Sequence, residues 1–406
     1  MIYLDHAATT PVDKEVYNAM KPYFTEKYGN PSSIYTLGQE AKTALEESRW
    51  EISNILGAKP EEIIFTSGAT ESNNLAIKGA TLCHGLTQIQ KELRIDTDFR
   101  PHIITSAIEH HSVLDAVKYL EKYFDFEVTY LPVDKEGVVD IGELEKSIKN
   151  NTVLVSIMHA NNEVGTIEPI EKIGSLIKNE KLKRKNEGND LPIVFHTDAV
   201  QSFQYLDTNV DKLGVDMLSL TGHKFYGPKG VGILYVRKGT KFLPQQQGGA
   251  QERKRRAGTE NVPYIVGMAK AMKVSRGQMS DVGIRTKKLR DKLIKGVLEK
   301  IPNAILAGHP TKRLPHNAAF CFKKIEGESI LINLDFEGIA ASSGSACTSG
   351  SLEPSHVLLA MGYDHETAHG SIRFTFGKEN TEADVDYVLE KLPPIIEKLR
   401  NMSPLK

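Results

Sequence analysis

Lys224 lies in Ser219-Leu220-Thr221-Gly222-His223-Lys224-Phe225-Tyr226-Gly227-Pro228-Lys229-Gly230, a glycine-rich turn directly after an apolar run. A lysine amine at the edge of a site can form a Schiff base with a carbonyl cofactor, and desolvation or a nearby cation lowers its proton affinity enough for it to shuttle protons. Most lysines are solvated surface groups; the company this one keeps sets it apart. About one strand earlier, Asp198 ends the apolar run Phe195-His196-Thr197-Asp198. A carboxylate there can pair with a protonated pyridine nitrogen and keep the ring an electron sink. Alone, Asp198 reads equally as the cap of a following helix; paired with Lys224, it reads as a cofactor ligand.

Other segments add to this pair. Thr66-Ser67-Gly68-Ala69-Thr70-Glu71-Ser72-Asn73-Asn74 follows a strand pattern and opens a helical one, so its unpaired amides and hydroxyls form an anion site suited to a phosphate. Ser/Thr followed by Glu is also a common capping box, and no Gly-Lys-Ser/Thr ending makes it a Walker loop. Glu109-His110-His111 and Asn161-Asn162-Glu163-Val164-Gly165 put polar groups after two further strands. An imidazole can stack on a flat ring, and His110 is read as functional, whereas His111 stays a packed or solvated residue. Ser342-Ser343-Gly344-Ser345-Ala346-Cys347-Thr348-Ser349-Gly350-Ser351 is a small-residue stretch suited to presenting a reactive thiol. Cys321, inside Ala-Ala-Phe-Cys-Phe, reads as core, and Cys83 as structural. Arg373 sits in Ser-Ile-Arg-Phe-Thr, a strand-like alternation, with a fork that fits a carboxylate.

The elements that must hold these residues are short β-branched runs, Glu62–Thr66, Ile103–Ser106, Val128–Pro132, Val153–Met158, Ile193–Thr197 and Met217–Leu220, separated by helical patterns. Such alternation predicts an α/β domain with a mainly parallel sheet and ligands at the carboxyl ends of its strands. Beyond Val262 the pattern changes to helices over Tyr264–Met279 and Arg285–Lys300, short strands, and a last helix near Glu382–Arg400, read as a second domain. Leu86–Arg100 and Lys178–Asp190 read as surface elaborations, the second as a solvated helix end and loop.

In 406 residues, 51 basic and 52 acidic side chains nearly cancel, so no global field favours nucleic acid or anionic lipid. Three cysteines without a Cys-x-x-Cys pair indicate neither a disulfide framework nor a thiolate zinc site, and point to a cytoplasmic, reducing setting. No apolar stretch approaches the roughly 20 residues needed to cross a bilayer, and no signal or transit pattern opens the chain.

Taken together these segments resemble the class V branch of fold-type I enzymes that use pyridoxal 5'-phosphate (PLP), and within it the group I cysteine desulfurases of the iron-sulfur-cluster and nitrogen-fixation type. The resemblance spans the whole chain. It rests most specifically on Tyr3-Leu4-Asp5-His6-Ala7-Ala8-Thr9-Thr10-Pro11, Gly29–Ser33, Gly68–Asn74, the Lys224 segment, Arg256-Ala257-Gly258-Thr259-Glu260-Asn261 and Ser343–Ser349. It implies a PLP-binding large domain (15–262) with a mainly parallel seven-stranded sheet, and a smaller α+β domain (1–14 and 263–406) that carries Cys347.

By the same resemblance Lys224 anchors PLP, His110 stacks on its ring, Asp198 pairs with the ring nitrogen and Gln201 with the ring hydroxyl. Ala69, Thr70, Thr221 and His223 match phosphate-binding positions; Thr259 matches one supplied by a neighbouring subunit, which implies a homodimer. Asn162 and Arg373 match groups that orient L-cysteine. Lys224 then removes the substrate's alpha proton, His110 manages its thiol proton, and the Cys347 thiolate takes the sulfur as a persulfide, leaving alanine. An iron-sulfur scaffold protein is the expected acceptor, neither nucleic acid nor a membrane is an expected partner, and no resident metal is implied, although Cys347 could serve as a transient cluster ligand. Thr221 stands where a serine is common and His111 where a lysine is frequent. Rival readings are a selenocysteine lyase, an aminotransferase, a desulfurase serving tRNA thiolation, and a sulfur carrier without catalysis. The Cys347 stretch argues against transamination, and the Lys224, Asp198 and His110 set argues against a non-catalytic carrier.

Overall fold

A computed structural model of the chain describes residues 1–91, 100–343 and 353–403. Its centre is a seven-stranded sheet made of β2 (Ile63–Thr66), β3 (His102–Ser106), β4 (Glu127–Leu131), β5 (Thr152–Ser156), β6 (Val194–Asp198), β7 (Met217–Thr221) and β8 (Gly232–Val236), in the order β2-β8-β7-β6-β5-β3-β4. Strands β3 to β7 run parallel; β8 is antiparallel to both of its neighbours. All of these strands except the edge strand β4 are buried along their whole length. Helices cover both faces, which is why the strands read as continuous apolar runs and not as alternations. The mainly parallel sheet expected from the sequence is therefore present, with ends within two residues of the expected ones. Strand β8 gave no separate signal, because it follows β7 after a tight Gly-Pro-Lys-Gly turn. A side chain at Gly232 would come within 2.7 Å of Gly68 C and Leu220 O, so only glycine lets β8 enter beside the turn that precedes the helix Ala69–Lys91.

A second sheet of three antiparallel strands, β9 (Ala304–Ala307), β10 (Asn317–Phe322) and β12 (Ser371–Thr375), is ordered β12-β10-β9. Beside it the chain's first residues, β1 (Ile2–Tyr3), pair in parallel with β11 (Ile339–Ala340). Where two helices were expected, Val262–Lys300 is one uninterrupted helix of 39 residues. Its first half gives Ile265, Met268 and Met272 to the core under the large sheet, and its second half gives Leu289, Leu293 and Val297 to the core under the small one. Gly277 and Gly283 sit where nothing crowds the helix; burial on both sides outweighs their cost of about 1 kcal/mol each.

The charge-rich stretch Lys178–Asp190 is the end of the helix Ile170–Asn186 and the loop after it, as expected, but one of its charges is not solvated. Arg184 is 2% exposed. It donates from Nη1 to Thr152 O at 2.8 Å, from Nη2 to Lys149 O at 2.6 Å and from Nε to Glu180 at 3.1 Å, tying the helix to the start of β5. The helix phase shows why: Arg184 lies two turns beyond Ile177 on the stripe that Ile170, Ile173 and Ile177 bury. The Leu86–Arg100 elaboration is helical to Lys91, and its residues 92–99 lie outside the described ones. Arg184→Ala, which strips donors from buried carbonyls, is expected to destabilise the fold by about 2–4 kcal/mol in urea unfolding, with Arg184→Lys recovering part of the loss.

Candidate active site

The carboxyl ends of β3, β5, β6 and β7 open into a cavity of about 610 Å³, within the range typical of small-molecule sites. Lining it are Ala69, Thr70, His110, Asn162, Asp198, Gln201, Thr221, His223, Lys224 and Arg373, together with Ala7–Thr9 from the start of the chain. Ten positions expected from the sequence thus converge on one space. Thr259 is exposed and is not part of the lining, and Cys347 lies outside the described residues. Cys321 is fully buried, where the apolar surroundings push its thiol up to about 12, and burial also raises the Cys83 thiol. A wider furrow of about 720 Å³ runs along Gln39–Glu51, but it is the outer face of a single helix and gathers no convergent groups.

Lys224 closes the single 3-10 turn Gly222–Lys224 that follows β7, and its Nζ donates to Ala7 O at 2.7 Å and Ala8 O at 2.8 Å. Gln201 Nε2 donates to the same Ala7 carbonyl at 3.0 Å. Asp198, the last residue of β6, is 6% exposed; its Oδ1 accepts from Val200 N at 3.0 Å and its Oδ2 from Asn73 Nδ2 at 2.7 Å. With these donors on one side, the carboxylate keeps lone pairs for a cationic N–H facing it. His110 caps the helix His111–Phe124, with its Nδ1 accepting from Ser112 N at 3.1 Å. Burial, then the Lys224 and His111 charges, lower its proton affinity, while Asp198 and Asp115 act against them. His223 is held down to about 4 by burial and by Lys224 and Lys229, so it is neutral at pH 7. The Thr221 hydroxyl donates to Val231 O at 3.0 Å and must rotate to serve an anion.

Arg373 is 5% exposed on β12, with Nη1 donating to Asn162 O at 2.6 Å and Nη2 to Asp5 Oδ1 at 2.8 Å. Two of its five N–H groups are thereby used, and Nε has no acceptor among the described residues, so donor capacity remains for a carboxylate. Sequence reasoning missed the acids beneath this wall. Glu109 is fully buried, its Oε1 accepting from Met158 N and Ser106, and burial holds its carboxyl well above the usual range. Burial raises Glu163 to about 7 against the hydrogen bond from Ser355, and Glu168 to about 8. Glu109 follows β3 by three residues and Glu163 follows β5 by seven, while Glu168 stands two residues before the helix Ile170–Asn186. His111, kept in the packed class, stands 4.7 Å ring to ring from His356 and is not in the lining.

The sequence profile of the aminotransferase class-V family matches residues 2–388. The chain belongs to this family. It is 52% identical over 405 residues to the cysteine desulfurase IscS of Dictyoglomus turgidum, covering all of this chain and 97% of that one. It is also 52% identical over 404 residues to the cysteine desulfurase IscS of Methanosarcina thermophila, covering all of this chain and 94% of the relative. Among solved structures, a NifS-like protein superposes with a TM-score of 0.86 at 39% identity, covering 98% of this chain and all of the other. SspA in complex with cysteine superposes with a TM-score of 0.78 at 36% identity over 93% of this chain and 99% of that one. Enzymes of this family depend on PLP, and the cavity fits it: an amine, a buried carboxylate with room for a ring N–H, and a helix start with hydroxyls for a phosphate occupy its walls.

Raised carboxyls give the fold a defined pH response. Because Glu163 and Glu168 hold their protons more tightly folded than unfolded, their contribution to stability is complete below about 4.5 and is lost as pH rises through about 7 and about 8. The thermal midpoint should therefore fall between pH 6 and 9, and Glu168→Gln should flatten that fall; an equally steep fall in the variant would show that Glu168 is ionised throughout.

Proposed function

We propose that the chain is a PLP-dependent cysteine desulfurase that takes sulfur from L-cysteine, leaves L-alanine, and carries the sulfur as a persulfide on Cys347. The observation that carries this reading is the meeting of Lys224, Asp198, His110 and Arg373 in one cavity. The full-length relatives named cysteine desulfurases, and the likeness to a structure described as a complex with cysteine, support the substrate. Bound PLP supplies an electrophilic carbonyl for the substrate amine and an electron sink for the carbon that loses a proton.

The chain's own residues do the rest. Lys224 would anchor the cofactor, and its Nζ is the group placed to move the alpha proton. Asp198 would hold the ring nitrogen in its protonated form, Gln201 would serve the ring hydroxyl, and His110 would cover the ring face. Ala69, Thr70, Thr221 and His223 hold the phosphate, joined by Thr259 of a second copy in a homodimer. Asn162 and the remaining N–H groups of Arg373 orient the substrate carboxylate. The Cys347 thiolate attacks the substrate sulfur: an S–S bond forms, and the C–S bond breaks with its electron pair left on carbon, which takes a proton to finish as alanine. Residues 15–262 form the PLP-binding domain, and 1–14 with 263–406 form the domain that brings Cys347. Balanced charge and sparse cysteines favour a cytoplasmic enzyme, with an iron-sulfur scaffold protein as sulfur acceptor.

Alanine and sulfide release from L-cysteine with a thiol reductant tests the reading. Wild-type protein should release both, and Lys224→Ala and Cys347→Ala should each lose on the order of 10²–10⁴-fold in turnover. Full activity in Cys347→Ala would remove the persulfide step and favour a lyase.

A further inference from the structure

Behind the cavity wall runs a buried line of hydrogen bonds that no role described above requires. Asn73, fully buried on the helix Ala69–Lys91, donates from Nδ2 to Asp198 Oδ2 at 2.7 Å and to Ser112 Oγ at 2.8 Å. Ser112 in turn stands against His110, with its Oγ 2.8 Å and its backbone N 3.1 Å from Nδ1.

The directions of these bonds follow from one another. A backbone N–H only donates, so His110 Nδ1 is the bare nitrogen. The Ser112 hydroxyl must then donate to Nδ1 as well, and its oxygen accepts from Asn73. An ionised Asp198 only accepts, which requires the same orientation of the Asn73 amide. That orientation leaves Asn73 Oδ1 buried with no partner among the described residues. A buried amide oxygen left alone costs free energy, and the cost is borne to keep Nδ2 between Asp198 and Ser112.

We propose that Asn73 and Ser112 are positioning residues that hold His110 as the neutral tautomer with its proton on Nε2 and, through the same amide, fix the rotamer of Asp198. His110 then meets the substrate as a hydrogen-bond donor at Nε2. Taking a proton there would first require a proton on Nδ1, against the backbone donor of Ser112. The groups facing His110 are Asp198 from β6, Lys224 from the turn after β7, His111 and Asp115 from its own helix, and His356 of the helix His356–Ala360. The two carboxylates favour an imidazolium; the other cations and burial oppose it, and the Ser112 donors fall on the opposing side. The consequence for cofactor binding rests on the desulfurase reading; the tautomer does not.

The test is nitrogen NMR on the full chain labelled with [15N]histidine, with and without PLP, His110 being assigned by its loss in His110→Gln. Wild type should show a proton on Nε2 and a bare Nδ1 between pH 6 and 8. Ser112→Ala should shift the His110 protonation equilibrium about tenfold toward the imidazolium, and Ser112→Thr, which keeps the hydroxyl, should restore it. Asn73→Ala should shift it the same way and weaken PLP retention, read by equilibrium dialysis, about tenfold; if that variant does not fold, the Ser112 pair carries the test. A proton on Nδ1 in wild type, or an equilibrium unchanged in Ser112→Ala, overturns the proposal. Wild-type protein with Nε2–H but no alanine release would instead overturn the desulfurase reading and leave the tautomer assignment standing.

Discussion

The lacing of the chain's first residues to the turn after β7 is the constraint on which the site depends, and Lys224 Nζ, donating to Ala7 O and Ala8 O, lies at its centre. Around it the segment is laced on both sides. Thr10 N donates to His223 O at 2.9 Å, Tyr226 N donates to Thr10 Oγ1 at 2.7 Å, and Asp13 N donates to Tyr226 O at 3.0 Å. Toward the smaller sheet, Thr375 N donates to Leu4 O at 2.7 Å and Arg373 grips Asp5. The segment therefore forms one wall of the cavity and a strap between two sheets. Tyr226 shows what the strap withstands: its backbone has φ +64, costly for a side chain of this size, and persists because its hydroxyl accepts from Lys378 N and donates to Glu379.

Three acids are buried beside residues of the cavity wall without lining it. Glu109, Glu163 and Glu168 are all buried, and burial raises each of them. Were all three ionised, their field would oppose the approach of an anionic substrate. They also serve as hydrogen-bonding struts: Glu109 Oε1 accepts from Met158 N, and Glu168 Oε2 accepts from Val139 N at 3.0 Å. Asp198, at the end of β6, accepts from two donors of its own, Asn73 Nδ2 and Val200 N.

The long helix Val262–Lys300 gives this arrangement its stiffness. Because one helix is buried in both cores, the sheet that carries Arg373 and the sheet that carries Lys224 are coupled by an element that cannot bend cheaply. The ion pair of Arg49 with Glu252, 2.8 Å and nearly fully buried, performs a similar task for the segment before that helix. There Glu252, Arg253 and Lys254 all adopt left-handed backbone, and Phe65 N donates to Glu252 at 3.0 Å. The stretch carrying Thr259 follows directly.

Much of this was readable from residue order. Short apolar, β-branched runs located six of the seven strands of the large sheet, and the identities of Lys224, Asp198, His110 and Arg373 named a chemistry, since both burial period and functional-group type are local properties. Other features depend on neighbours distant in the chain. Whether Val262–Lys300 breaks depends on two cores built from other segments, and burial of Arg184 depends on carbonyls 32 and 35 residues away. The donor set of Asn73, the tautomer of His110 and the proton on Glu163 depend on desolvation and on partners that meet only when the sheets are assembled. A sequence specifies which groups can exchange protons; how tightly each holds its proton is a property of the space that folding closes around it.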